Sequence, residues 1–126
     1  METVRTVLVQ KNDVLRSQLA DFLEGAGITN VTLACDLADL RAKACQCMPQ
    51  LIVLDIYLVD ENFDGLIRDL RRQMPELKVV LTGPEPEAYY AKHTAGMGAD
   101  LYLSEGLQPD EWIKRLASVA TPPTRV

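Results

Sequence analysis

Leu51-Ile52-Val53-Leu54-Asp55 is an unbroken apolar run closed by a carboxylate. Apolar residues that follow one another without polar alternation read as a strand buried on both faces, as in a parallel sheet covered by helices on either side. The run also locates Asp55. It falls at the strand's carboxyl edge, where open α/β sheets keep their chemistry.

Toward the N-terminus, Arg5 to Val9 is rich in β-branched residues and reads as the first strand, followed by Gln10-Lys11-Asn12. A cation therefore stands at the carboxyl edge of this strand. From Val14 to Glu24 the apolar residues Leu15, Leu19, Phe22 and Leu23 recur at helical spacing, and Gly25-Ala26-Gly27 offers a left-handed cap. Asp13 reads as the N-cap of this helix. Asn30 to Cys35 reads as a second strand. Asp36 or Asp39 opens a second helix, with Leu37, Leu40 and Ala44 on one face and Pro49 at its end.

Toward the C-terminus, Leu66, Ile67, Leu70 and Met74 outline a third helix stopped by Pro75. Lys78 to Thr82 forms a fourth strand, broken by Gly83-Pro84-Glu85-Pro86. Glu87 to Gly98 has a weak helical pattern, Asp100 to Ser104 a fifth strand, and Pro109 to Val119 a last helix with Trp112, Ile113 and Leu116 inward. Five strand–helix units in succession predict a parallel sheet with helices on both faces, a three-layer α/β sandwich.

The 126 residues suit one domain, placed at 1–120, with 121–126 (Thr-Pro-Pro-Thr-Arg-Val) as an extended tail that is either a natural end or a linker to an output domain. With 48% hydrophobic and 25% charged residues, the composition is that of a soluble globular protein. No apolar stretch approaches the roughly 20 residues of a membrane span, and the first residues lack a signal peptide's apolar core, so a cytoplasmic location and no membrane partner are expected. A net charge of −5 repels phosphate backbones, which argues against direct nucleic-acid binding.

Several chemistries find no support in the residues. Cys45 and Cys47 are separated by about 200° on a helix, and with His93 as the lone histidine they make a poor metal site. Three cysteines are too few for a disulfide framework. No Gly-rich phosphate loop follows the first strand, and no serine or cysteine stands beside an evident base. An enzyme is not expected, nor a resident cofactor.

Taken in order and spacing, these residues resemble the receiver domain of two-component response regulators, over about residues 4 to 119. Leu51 to Asp55 is similar to the phosphoacceptor strand, and Val79-Val80-Leu81-Thr82 to the strand ending in a switch hydroxyl. Gly98-Ala99-Asp100-Leu101-Tyr102-Leu103 matches the stretch bearing the switch aromatic, and Ala26-Gly27 the helix-ending glycine. The resemblance implies a flavodoxin-like (βα)5 fold with strand order 2-1-3-4-5. It also implies Asp55 as phosphoacceptor for a histidine kinase, Thr82 as the hydroxyl that bonds a phosphate oxygen, and Tyr102 as the ring that turns inward in the active state.

Other positions depart from the family. Its acidic pair, which holds Mg²⁺, falls on Gln10 and Lys11, and its lysine on Glu105, followed by Gly106 where proline is usual. Val59 replaces the usual proline after Asp55 and Phe63 the usual glycine, unless an insertion makes Gly65 that glycine. Phosphoryl transfer asks mainly for positioning and charge neutralisation, and Mg²⁺ prefers oxygen ligands including one or two carboxylates. Magnesium and other metals are therefore not expected, unless Asn12 or Asp13 supplies a ligand. The charge exchange suggests Lys11 paired with Asp55, Glu105 or both, against the alternative of Lys11 in solvent.

The expectation is a receiver domain acting as a phosphorylation-independent protein-interaction module. Its surface would be the fourth helical stretch, fifth strand and last helix, offered to a histidine kinase, an effector or a second copy. The alternative is a working phosphoacceptor modified on Asp55.

Overall fold

The computed structural model describes residues 4–88 and 98–120. Thr6–Val9 forms β1, Asp13–Gly25 α1, Val31–Ala34 β2, Leu37–Cys47 α2 and Leu51–Asp55 β3. A 3₁₀ turn, Ile56–Leu58, leads to α3 (Phe63–Gln73), followed by β4 (Lys78–Gly83), β5 (Leu101–Ser104) and a closing helix, Pro109–Ala120. The strands make one five-stranded sheet in the order β2-β1-β3-β4-β5, every pair parallel. This is the predicted flavodoxin-like architecture. The fourth helical stretch falls largely on residues 89–97 and the tail on 121–126, both outside the described residues.

The sheet is apolar on both sides because alternate residues of each strand face opposite layers. Val7, Val9, Ile52, Leu54, Val79 and Leu81 pack with Leu40 and Ala44 of α2 and with Phe63, Leu66, Ile67 and Leu70 of α3. Leu8, Leu51, Val53, Val80 and Leu103 pack with Leu19 and Leu23 of α1 and with Trp112 and Leu116 of the closing helix. Ile113 is half-buried and lies against Gly25, where an added Cβ would come within 2.9 Å of its Cδ1. Trp112 is fully buried, stacks obliquely on Phe22 at 5.5 Å and donates its indole N–H to the Ser104 carbonyl at 2.8 Å.

Helix ends follow local chemistry. Asn12, not Asp13, caps α1: its side chain accepts from Leu15 N at 2.9 Å. Asp13 is already helical and pairs with Arg16 one turn on. Gly27, at φ 83°, takes the left-handed turn after α1. Asp36 caps α2, accepting from Asp39 N at 2.7 Å. That helix ends at Met48, left-handed at φ 49°, because the following Pro49 disfavours the helical conformation there. Phe63 opens α3 fully inside the core. Gly65 lies within the helix in open space and serves no turn.

Candidate functional site

Parallel pairing determines which side chains share the carboxyl edge. Asp55 is opposite Thr82 in the β3–β4 register, and Gln10 follows Val9, which is opposite Leu54. By alternation Gln10, Asp55 and Thr82 extend the face of Leu8, Val53 and Val80, the layer of α1 and the closing helix. Glu105 continues β5 two residues beyond Leu103 on that same face, and its N–H is held by the Gly83 carbonyl at 2.7 Å.

Asp55 is half-buried, and its Oδ1 accepts from Tyr57 N at 3.0 Å. Gln10 is 2% exposed. Its Oε1 accepts from Asn12 N at 3.0 Å, which orients the amide and leaves Nε2 buried without a hydrogen-bond partner. Its backbone carbonyl receives the Arg16 guanidinium at 2.7 Å. Thr82 is 1% exposed, and its hydroxyl is likewise buried and unpartnered.

Lys11 does not pair with Asp55 or Glu105. It is exposed, and no ion pair includes it among the described residues. An ammonium is strongly hydrated, and at the mouth of the first loop it reaches water at less cost than a partly desolvated cleft. Glu105 is left facing negative charge. Burial raises its pKa above the ordinary carboxylate value, and the charges of Asp55 and Glu85 push the same way. Neither Asp55 nor Glu105 makes an ion pair among the described residues.

Tyr102 is buried at 4% exposure on the opposite face, with Ile56 and Leu81. Its hydroxyl donates to the Glu85 backbone carbonyl at 2.8 Å. The ring sits so close to the end of β4 that a Cβ on Gly83 would lie 2.6 Å from its Oη. The aromatic is therefore inward, and Gly83 makes room for it.

Sequence reasoning passed over Glu85 and Tyr57. The Tyr57 hydroxyl donates to the Glu85 carboxylate, joining the loop after Asp55 to the loop after β4. The Pro residues flanking Glu85 were the available signal, since they stiffen that turn. Asn12 and Asp13 are spent on the helix start, and Cys45 is exposed and Cys47 half-buried on α2. Among the described residues no group of three or more His, Cys, Asp or Glu is arranged to hold a metal. No described helix is long and apolar enough to cross a membrane.

A family model described as the response regulator receiver domain matches residues 6–117. No curated protein matches the chain. Among solved structures, the chemotaxis response regulator CheY4 of Vibrio cholerae is similar at TM-score 0.77 and 19% identity, covering 94% of this chain and 99% of that one. The receiver domain of NtrX from Brucella abortus gives 0.74 and 24%, covering 91% and 97%. A LuxR-family two-component response regulator from Aurantimonas gives 0.78 and 18%, covering 94% and 86%.

Proposed function

The chain belongs to the response regulator receiver domain family of two-component signalling, and we propose that it is an atypical member that works by binding proteins without being phosphorylated. One observation carries this reading. Glu105 occupies the family's lysine position and adds negative charge beside Asp55 and Glu85, with no ion pair at Asp55 or Glu105 to offset it among the described residues.

A phosphoryl group on Asp55 would add charge to that cleft. At an effective dielectric of about 20 a pair of like unit charges repels by roughly 4 kcal/mol at 4 Å, and by about half that at twice the distance. The magnesium that the family uses would offset this, but the residues on the β1 side do not fit it. Gln10 commits its amide oxygen to Asn12 and is left with a donor nitrogen, and Lys11 is a cation. Asp55 remains as the carboxylate of that set, too few for a hard cation that favours oxygen ligands.

Tyr102 agrees with the same reading: it is inward in the unmodified chain, with its hydroxyl donating to the Glu85 carbonyl and its ring in the space left by Gly83. The docking surface of this proposal includes β5 and the closing helix, where Arg115 pairs with both Glu87 and Glu111. A histidine kinase, an effector or a second copy are the partners proposed. The protein would have no enzymatic activity, no resident cofactor and a cytoplasmic location.

A working phosphoacceptor is the second reading, favoured by the Thr82 hydroxyl standing opposite Asp55 with no partner. One experiment separates the two. The protein is incubated with acetyl phosphate, or with beryllofluoride and Mg²⁺, and followed by intact mass and Trp112 fluorescence. Trp112 reports on the cleft because its indole is bonded to Ser104, next to Glu105. No adduct and no fluorescence change are expected; a stable adduct at Asp55 overturns the proposal.

A further inference from the structure

We infer that the cleft between Asp55 and Glu105 is a socket for a guanidinium group carried by a partner protein. The inference rests on the interaction-module reading and specifies the partner's chemistry.

The acceptors are concentrated on one side of Asp55. Toward β1 stands Gln10, whose orphaned amide nitrogen is a donor and repels a cation. Toward β4 and β5 stand Thr82, whose buried hydroxyl has a lone pair to give, and Glu105, on the same face of the sheet. Two carboxylates and an unpartnered hydroxyl thus stand on one face at one edge of the sheet, and neither carboxylate has an ion pair among the described residues. Lys11, the nearest basic residue in sequence to that edge, stands in solvent. Burial and the neighbouring charges make ionised Glu105 costly as it stands, and an entering cation relieves that cost.

Guanidinium suits the space better than the alternatives. Its planar fork bonds carboxylates in pairs, and it is more weakly hydrated than an ammonium, so less is lost on entry. It also stacks on aromatic rings, and Tyr57, 62% exposed, stands at the rim two residues beyond Asp55. Val14, 79% exposed in the first turn of α1, is a second exposed apolar side chain on this edge. These two are more readily explained by a protein surface laid over the cleft than by a free ion. The net charge of −5 favours approach of a basic partner.

The test uses the full chain and a blocked arginine, N-acetyl-arginine amide, titrated while amide and indole NMR signals are recorded. Saturable shifts are expected at Asp55, Thr82, Glu105 and the Trp112 indole. The neutral isostere N-acetyl-citrulline amide should bind at least about tenfold more weakly, as expected when a charge-assisted bond is lost. Glu105→Gln should weaken arginine binding by a similar factor. Glu105→Lys, which supplies the cation from within, should abolish it; melting curves verify that both variants fold.

Equal binding of citrulline, no saturable shift, or arginine binding indifferent to Glu105→Gln would overturn the socket. So would Mg²⁺ producing the same shifts in the same concentration range and displacing the arginine, since the site would then belong to an inorganic cation. The readouts also keep the two proposals apart. A phosphoryl or beryllofluoride adduct refutes phosphorylation independence, whereas failure of arginine to bind, with no adduct formed, removes the socket alone.

Discussion

Replacing Gly83 by alanine tests whether protein contacts hold Tyr102 inward. The added Cβ would meet Tyr102 Oη at 2.6 Å, Ile56 Cγ2 at 3.0 Å and Tyr102 Cε1 at 3.3 Å, so the ring or the strand must move. If the ring swings out, it loses the 2.8 Å bond to the Glu85 carbonyl, a net loss of about 1 kcal/mol. Re-exposing an aromatic side chain that is now 4% exposed costs about 2 kcal/mol more. If it stays, overpacking strain is of similar size, roughly 1–3 kcal/mol. Gly83→Ala should therefore destabilise by about 2–3 kcal/mol. With a urea m-value of about 1–3 kcal/mol/M, the unfolding midpoint followed by Trp112 fluorescence falls by roughly 1 M or more. In a Tyr102→Ala background most of the clash is gone, and the same substitution should cost less than about 1 kcal/mol. A Gly83→Ala protein with an unshifted midpoint and a buried Tyr102 would refute the reasoning.

Glu105→Gln tests the electrostatics of the cleft through pH. The folded-state pKa of Glu105 is raised, so the folded protein binds its proton more tightly than the unfolded chain does. Its ionisation thus lowers stability as pH rises from the ordinary carboxylate pKa through the raised value, and the deficit persists above it. The variant should be more stable than wild type at pH 7, with the difference vanishing below about pH 4, in paired thermal melts. Equal melting points at pH 7 would argue against charge crowding. Thr82→Val exchanges a buried, unpartnered hydroxyl for a methyl group and should be neutral or stabilising by up to about 1 kcal/mol in urea unfolding. Asn12→Ala removes the cap of α1 and should cost about 1 kcal/mol, whereas Asp13→Ala, outside the cap, should cost less than half of that.

Much of the fold was legible in the order of residues. The apolar run of β3, the helical recurrence of Leu19 and Leu23 and the glycine turn at Gly27 are local patterns, and local patterns determine element type. Asp55, Thr82 and Tyr102 could be located because each stands at or within a strand whose apolar neighbours mark it. Capping was harder to read, since Asn12 and Asp13 are both suitable and backbone geometry selects Asn12. The bond from Tyr57 to Glu85 spans 28 residues and leaves no periodic trace.

The sequence by itself determined the parallel sheet, its helical cover and the edge on which Asp55 lies, because hydrophobic periodicity and strand ends are properties of neighbours along the chain. Tertiary structure alone decided that Lys11 would stay in water, that Glu105 would face Asp55 and Glu85, and that Tyr102 would fold over Gly83. The reason is physical: charge pairing and burial depend on distances through space and on access to solvent. Those are set when β1, β3, β4 and β5 come side by side, not by the identity of any one residue.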